Sequence, residues 1–236
     1  MVKRTYVKNG SFIAGYNAQF MEENKYGLIV YAYISNKNPD SAAFLDIIDD
    51  LADKYHPKYI TMDTGYGSPE ILEKLGKRGI TPVVKTLKNE NATKKITNNS
   101  FCLSESEDYL ICPEGQRINF IRITPKGNHT YKAGHCELCE RKKECTPKSN
   151  AKSVTINLNE FKLLKQAKEM MESEKGNELY SHRGNKCESP NGFIKYNLNG
   201  KKFKMRGLIR NNTSIKLACI LYNFTRLITI TSIVKK

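Results

Sequence analysis

The stretch Lys58–Ile71, KYITMDTGYGSPEI, sets the reading of the chain. A short apolar run ends on a carboxylate, Asp63, and glycines follow at 65 and 67. Aspartate is depleted inside strands and common in turns. The plain reading is a strand end closed by a turn. The functional reading is a carboxylate at the rim of a sheet, beyond the carboxyl end of a strand, where open α/β sheets bind ligands and a hard oxygen suits magnesium. Gly65 and Gly67 let the backbone turn sharply there and leave room for a substrate. Ser68 then fits a helix N-cap and Pro69 the first helical position. Ile71, Leu72 and Leu75 give that helix a core face, Gly79 ends it, and Ile80–Val84 is the next strand.

The flanks extend the pattern. Ser11–Met21 and Tyr26–Ser35 are rich in aromatic and β-branched residues around the polar EENK, which predicts an antiparallel hairpin. Phe44, Ile47, Ile48 and Leu51 recur at helical spacing, which predicts one amphipathic helix over Ser41–Tyr55. Helices alternating with strands after a hairpin predict an α/β fold with a mixed sheet and flanking helices. Over Lys85–Asn150 the periodicity fails, and an inserted subdomain explains that length better than a loop does. A helix is expected over Asn157–Glu174, and the basic end of the chain holds an apolar, helix-like run, Ile215–Ile228. The expected organisation is residues 1–85 as the N-terminal part of a core, 86–150 as a cysteine-containing insert, and 151–236 as the C-terminal helical part with a basic tail.

Charge narrows the partner. The 236 residues carry 39 Lys and Arg against 24 Asp and Glu, a formal charge of +15. From Ser189 to Lys236 there are ten Lys or Arg and no acid. A solvated basic face is the plain reading, and a polyanionic partner, DNA first, is the functional one. No apolar run is long enough for a membrane span, and the N-terminus does not resemble a secretion signal, so a cytoplasmic location is expected. The seven cysteines are odd in number, which argues against a disulfide framework.

Two further groups carry chemistry. In Tyr180–Gly207 one acid, Glu188, stands among His182, Arg183, Lys186, Lys195, Lys201, Lys202, Lys204 and Arg206. Ser189 and Pro190 read as a helix start with Glu188 at its mouth. The plain reading is a surface loop in which Glu188 pairs with a lysine. The functional one is an acid that holds metal while the cations hold a DNA strand. The other group is Cys112, Cys136, Cys139 and Cys145, whose thiolates would suit tetrahedral zinc. The spacing is irregular for a zinc ribbon, His135 is an alternative ligand, and reduced free thiols are the plain reading. Cys102, Cys187 and Cys219 read as small hydrophobes. Tyr16 and Gln19 read as strand residues, and His56 and His129 as surface residues.

Taken in order, these blocks resemble the DDE transposases of bacterial insertion sequences, in the branch with a cysteine-containing insert after the second catalytic Asp. GYNAQF (Gly15–Phe20) is similar to the family's second-strand block. MDTGYGS (Met62–Ser68) resembles the block of its second Asp, and CESPNGFIKYN (Cys187–Asn197) that of its final Glu. Its Tyr, Arg, Glu, Lys signature falls on Tyr180, Arg183, Glu188 and Lys195. ISNKNPDS (Ile34–Ser41), with Asp40, also fits the family's order and is given no catalytic role. The resemblance implies a ribonuclease H-like fold and magnesium-dependent cleavage and transfer of DNA strands. Asp63 and Glu188 would hold magnesium, while Arg183, Lys195, Lys201, Lys202, Lys204 and Arg206 would contact DNA. A phosphate-ester hydrolase with an Asp nucleophile would want a second Asp at position 65, which is Gly65.

The family's first Asp lies upstream of the GYNAQ-like block, where MVKRTYVKNGSFIA has no Asp or Glu. The expectation is therefore an incomplete ribonuclease H-like domain, the C-terminal portion of a truncated or split transposase. It would be nucleoid-associated and would cleave little unless an upstream fragment supplies the missing Asp. That fragment, or a second copy in a homodimer, is the expected protein partner. The competing readings are a non-catalytic DNA-binding derivative acting as repressor or partner of a full-length enzyme, and a zinc-stabilised RNA-binding module.

Overall fold

The computed structural model describes residues 4–6, 12–14, 16–37, 39–85, 96–197 and 205–234, with the backbone alone at 4–6, 12–14, 99, 184–189, 197, 233 and 234. The chain divides into two units, Met1–Val84 with Glu169–Lys236, and Lys85–Lys168.

The first unit opens with β1 (Arg4–Tyr6) paired antiparallel to β2 (Phe12–Ala14). β3 (Asn17–Glu22) then pairs antiparallel with β4 (Ile29–Ser35), in a register from Asn17 opposite Ser35 to Glu22 opposite Ile29. The expected strand over Ser11–Met21 is thus two strands with different partners. The β3–β4 turn is tied by Glu23, whose carboxylate accepts from the backbone N–H of Lys25, Tyr26 and Leu28 at 2.7, 2.6 and 3.1 Å.

The helix expected over Ser41–Tyr55 is two helices, α1 (Asp40–Leu45) and α2 (Ile48–Tyr55). Ile47 donates its N–H to the Phe44 carbonyl, three residues back, and this tightened step lets the adjacent Ile47 and Ile48 both face inward. β5 (Tyr59–Met62) follows, then a 3₁₀ turn (Thr64–Tyr66), α3 (Pro69–Lys77) and β6 (Thr81–Val84). α3 buries Ile71, Leu72 and Leu75. It closes where Gly79, at φ +70°, takes the left-handed conformation and Ile80 N–H bonds back to the Leu75 carbonyl. β5 and β6 run parallel, Tyr59 opposite Thr81 through Met62 opposite Val84.

The architecture is mixed α/β. Among the described residues, however, β3–β4 and β5–β6 are separate two-stranded pairs, not one mixed sheet. Helix α6 (Glu174–Gly192) lies against β3, β5 and β6. Glu188 is inside this helix, which corrects the expected helix start at Ser189–Pro190. Pro190 sits instead in the last turn, where it has no N–H to donate, and the backbone widens into a π-helical turn at Phe193–Asn197. α7 (Leu208–Val234) is longer than the expected Ile215–Ile228 and packs on β4. Asn223 fixes it there, accepting from Ile29 N–H at 2.8 Å and donating to Ile29 O at 2.9 Å. Ile29, Ile34, Ile194, Ile215, Cys219 and Tyr222 form the core beneath.

The second unit, expected as an inserted subdomain whose sequence shows no periodicity over Lys85–Asn150, holds a five-stranded antiparallel sheet. The strands are β7 (Cys102–Leu103), β8 (Tyr109–Ile111), β9 (Arg117–Ile123), β10 (His129–Ala133) and β11 (Ser153–Ile156), adjacent in chain order. A four-residue helix, α4 (Lys142–Cys145), lies between β10 and β11, and α5 (Leu158–Glu172) follows. No strand buries more than two side chains, and β7 buries none. Ile118 alone is buried in β9, and Tyr131 and Ala133 in β10. So sparse an alternation is lost among the Lys and Asn residues of the sequence. With Ile96, Phe101, Leu110, Val154, Ile156 and Phe161 these residues form the unit's core. His129, expected at the surface, is half-buried against the Phe120 ring, 5.4 Å between centroids. Cys102, expected to be buried, is exposed on β7, whereas Cys219 is buried as expected.

Candidate functional site

Asp63 ends β5 and caps the 3₁₀ turn, its Oδ1 accepting from Thr64 N–H at 2.7 Å. That bond fixes the carboxylate at the strand end. Its Oδ2 lies 3.2 Å from an Nη of Arg183 on α6, with the two side chains 61% and 27% exposed. Arg183 also lies over the Tyr180 ring, 5.6 Å from its centroid, and its other Nη donates to the Tyr180 hydroxyl at 3.4 Å. Tyr180 and Arg183 are three residues apart on one helix face, so the ring orients the guanidinium toward Asp63.

Glu188 lies on the same helix, five residues beyond Arg183, a rise of roughly 7.5 Å at helical spacing. Its side chain is outside the described residues, as are Lys201, Lys202 and Lys204 altogether. Lys195 follows in the π-helical turn, and both it and Arg206, just before α7, are exposed.

Tyr66 links a second carboxylate, that of Asp40, to the neighbourhood of Asp63. Its ring packs edge-to-face on Phe44, 5.4 Å between centroids. Burial pushes its phenol up to about 12, with the charges of Asp40 and Asp63 adding to the rise. Asp40, at the start of α1, is therefore close enough to act on the same phenol as Asp63. It is held from β3, where Asn17 Nδ2 donates to its Oδ1 at 2.6 Å and buried Gln19 Nε2 donates to its carbonyl at 2.9 Å. Asp40 was expected to have no catalytic role. The signal was available in NPDS, where the acid stands one residue ahead of the predicted helix start.

The fit to a divalent cation is partial. Asp63 offers an exposed hard oxygen, but Arg183 now neutralises it. Among the described residues no group of three or more His, Cys, Asp or Glu is arranged to hold a metal ion. Among those residues no helix is long and apolar enough to cross a membrane.

In the second unit Cys112, Cys136, Cys139 and Cys145 line one small cavity, with His135, Lys142 and Lys152 also in its wall. Burial pushes the Cys145 thiol up, Lys152 opposes this, and the thiols of Cys136, Cys112 and Cys139 add to the rise.

Neither the curated proteins nor the solved structures contain a match to this chain. The family model described as Transposase DDE domain matches residues 111–228, half of the chain, running from the end of β8 through α6 into α7. Glu188, Arg183 and Lys195 fall inside that match and Asp63 outside it. A match over half of its residues makes the chain a member of the transposase DDE-domain family.

Proposed function

We propose that this chain supplies the second Asp and the final Glu of a transposase site that cleaves and joins DNA strands. The observation that carries the proposal is the Asp63–Arg183 pair, through which α6, the helix of Glu188, meets the carboxyl end of β5. Asp63 and Glu188 would hold magnesium. The bound ions, one held by each carboxylate, would supply activation of the attacking oxygen and stabilisation of the leaving one. Thr64 N–H keeps one Asp63 oxygen oriented, so the other is the one presented to the cation. Arg183 holds that oxygen at 3.2 Å, and its planar guanidinium would suit a phosphate of the DNA strand. Lys195, Lys201, Lys202, Lys204 and Arg206 track the DNA backbone, positioning the strand without reading its sequence.

The fold we infer is ribonuclease H-like. A β-hairpin followed by a helix-linked parallel pair, with α6 packed against β3, β5 and β6, supports this. We assign the third carboxylate of the reaction to a further strand, brought by a segment or partner outside these residues.

The test is strand cleavage of element-end DNA in magnesium, with the chain alone and with an upstream segment that carries the first Asp. The account expects little or no cleavage alone and cleavage when the segment is added, abolished by Asp63→Asn and by Glu188→Gln. DNA binding should survive Asp63→Asn. Cleavage by the mixture that persists in both variants would overturn it. The second reading, a DNA-binding repressor, rests on the acid-free basic end of the chain. It predicts binding indifferent to magnesium and no cleavage in any combination. The salt dependence of binding should shallow by about one per lysine removed at 201, 202 and 204.

A further inference from the structure

We propose that Cys112, Cys136, Cys139 and Cys145 bind one zinc ion that staples the second unit. The argument is independent of the DNA chemistry and rests on where the four thiols meet. They come from three separate places: the end of β8, the chain leaving β10, and the last residue of α4. All four are half-buried and line the same cavity of about 30 Å³, room for a single ion.

The backbone around them already has the shape that thiolate ligands need. After Cys112 the chain turns back at once, Gly115 N–H bonding to the Cys112 carbonyl at 2.9 Å with Gly115 at φ +75°. The turn aims Gln116 N–H at the Cys112 Sγ, 3.3 Å away. Cys139 N–H bonds to the Cys136 carbonyl at 3.3 Å, so the C-x-x-C pair is wound into one tight turn. Cys136 is fixed to Asn150 O at 3.1 Å, and Cys145 to Arg141 O at 3.1 Å. Lys152 Nζ donates to the Cys145 carbonyl at 3.2 Å.

Charge and packing agree. Four thiolates around Zn²⁺ leave a net charge of −2, and Lys142 and Lys152 in the same wall offset it. Cys112, Cys136 and Cys145 pack against a core of nine buried side chains, which is small for a five-stranded sheet. A metal staple is the usual way a unit with a thin core gains stability. As they stand the thiols are not closed into a ligand set. Closure takes rotation about their side-chain bonds into the cavity. Binding converts four thiols and Zn²⁺ into a zinc tetrathiolate and four protons, with no change of oxidation state.

The test uses the whole chain purified under reducing conditions. Elemental analysis should give one zinc per chain, released by a mercurial thiol reagent. Replacing zinc with Co²⁺ should give the intense visible and near-ultraviolet bands of tetrahedral cobalt thiolate, which needs no variant and therefore no assumption about folding. Cys139→Ser should lower zinc affinity at least tenfold, whereas Cys102→Ser, outside the cavity, should leave it unchanged. His135→Ala should keep the metal. No zinc bound and no cobalt–thiolate bands with all thiols reduced would overturn the proposal, as would loss of the metal in His135→Ala. Asp63→Asn should keep its zinc, so failure of the catalytic reading leaves this outcome untouched.

Discussion

Arg183 on α6 holds the carboxylate of Asp63 at 3.2 Å, so the helix that carries Glu188 is anchored at the end of β5. Both side chains are partly in water, and a pair of this kind contributes at most about 1 kcal/mol to stability. Arg183→Ala should therefore leave urea unfolding within about 1 kcal/mol of the parent chain, while weakening DNA binding. A loss of stability well above that would show that the pair holds the fold and not the site.

Acid should loosen the β3–β4 turn. Burial alone would raise the Glu23 carboxyl, but the N–H groups of Leu28, Lys25, Tyr26 and Gly27 outweigh it and bring it below the usual 4.5. Because the folded value is the lower one, the stabilisation is complete above pH 4.5 and fades as pH falls through the folded value. Glu23→Gln should cost roughly 1–2 kcal/mol at neutral pH and flatten that acid limb, read from unfolding curves across the acid range.

The opposite limb is shared by Tyr31, Tyr66 and Tyr131, whose phenols burial pushes up, and Tyr66 is the one beside Asp63. Its phenol is pushed up to about 12 from the usual 10 by burial, then by Asp40 and Asp63. The unfolded chain loses this proton first, so any contribution from Tyr66 is intact below pH 10 and is lost as pH rises toward 12. An ultraviolet titration should show several tyrosines ionising well after the exposed ones, and Tyr66→Phe should reduce that late group by one. Asp40→Asn should bring the same ionisation down. No change there would mean that Asp40 does not act on this phenol.

Asn223 exchanges two hydrogen bonds with the backbone of Ile29 and so fixes α7 to the start of β4. Asn223→Ala strands both groups of Ile29 and should cost about 1–3 kcal/mol, with a matching fall in the thermal midpoint. Asn223→Asp keeps an acceptor for the Ile29 N–H but loses the donor to its carbonyl, and should fall between the two.

How much the sequence revealed depended on whether a signal was local. Asp63 at a strand end, the helix after Pro69 and the parallel strand after Gly79 are written in contiguous residues, and the structure has them. The break between α1 and α2 was hidden because Phe44, Ile47, Ile48 and Leu51 fit one helix, and only a tightened turn shows that Ile47 and Ile48 can both face inward. The five strands of the second unit were hidden because each buries so little. Glu188 was misplaced because Pro190 looked like a helix start, although proline is also tolerated where a helix is about to end in a wider turn. The Asp63–Arg183 contact, and the pressure of Asp40 on Tyr66, join residues distant in the chain, and no local pattern announces them.

Whether Asp63 and Glu188 hold cations at one common site can be measured on the chain itself. Mn²⁺ in place of Mg²⁺ broadens the amide signals of residues close to it. The account predicts that, in a ¹⁵N spectrum, residues 63–67 and 186–189 broaden together at the same Mn²⁺ concentration, and that both groups stay sharp in Asp63→Asn. Broadening of one segment without the other, or broadening that survives Asp63→Asn, would contradict it.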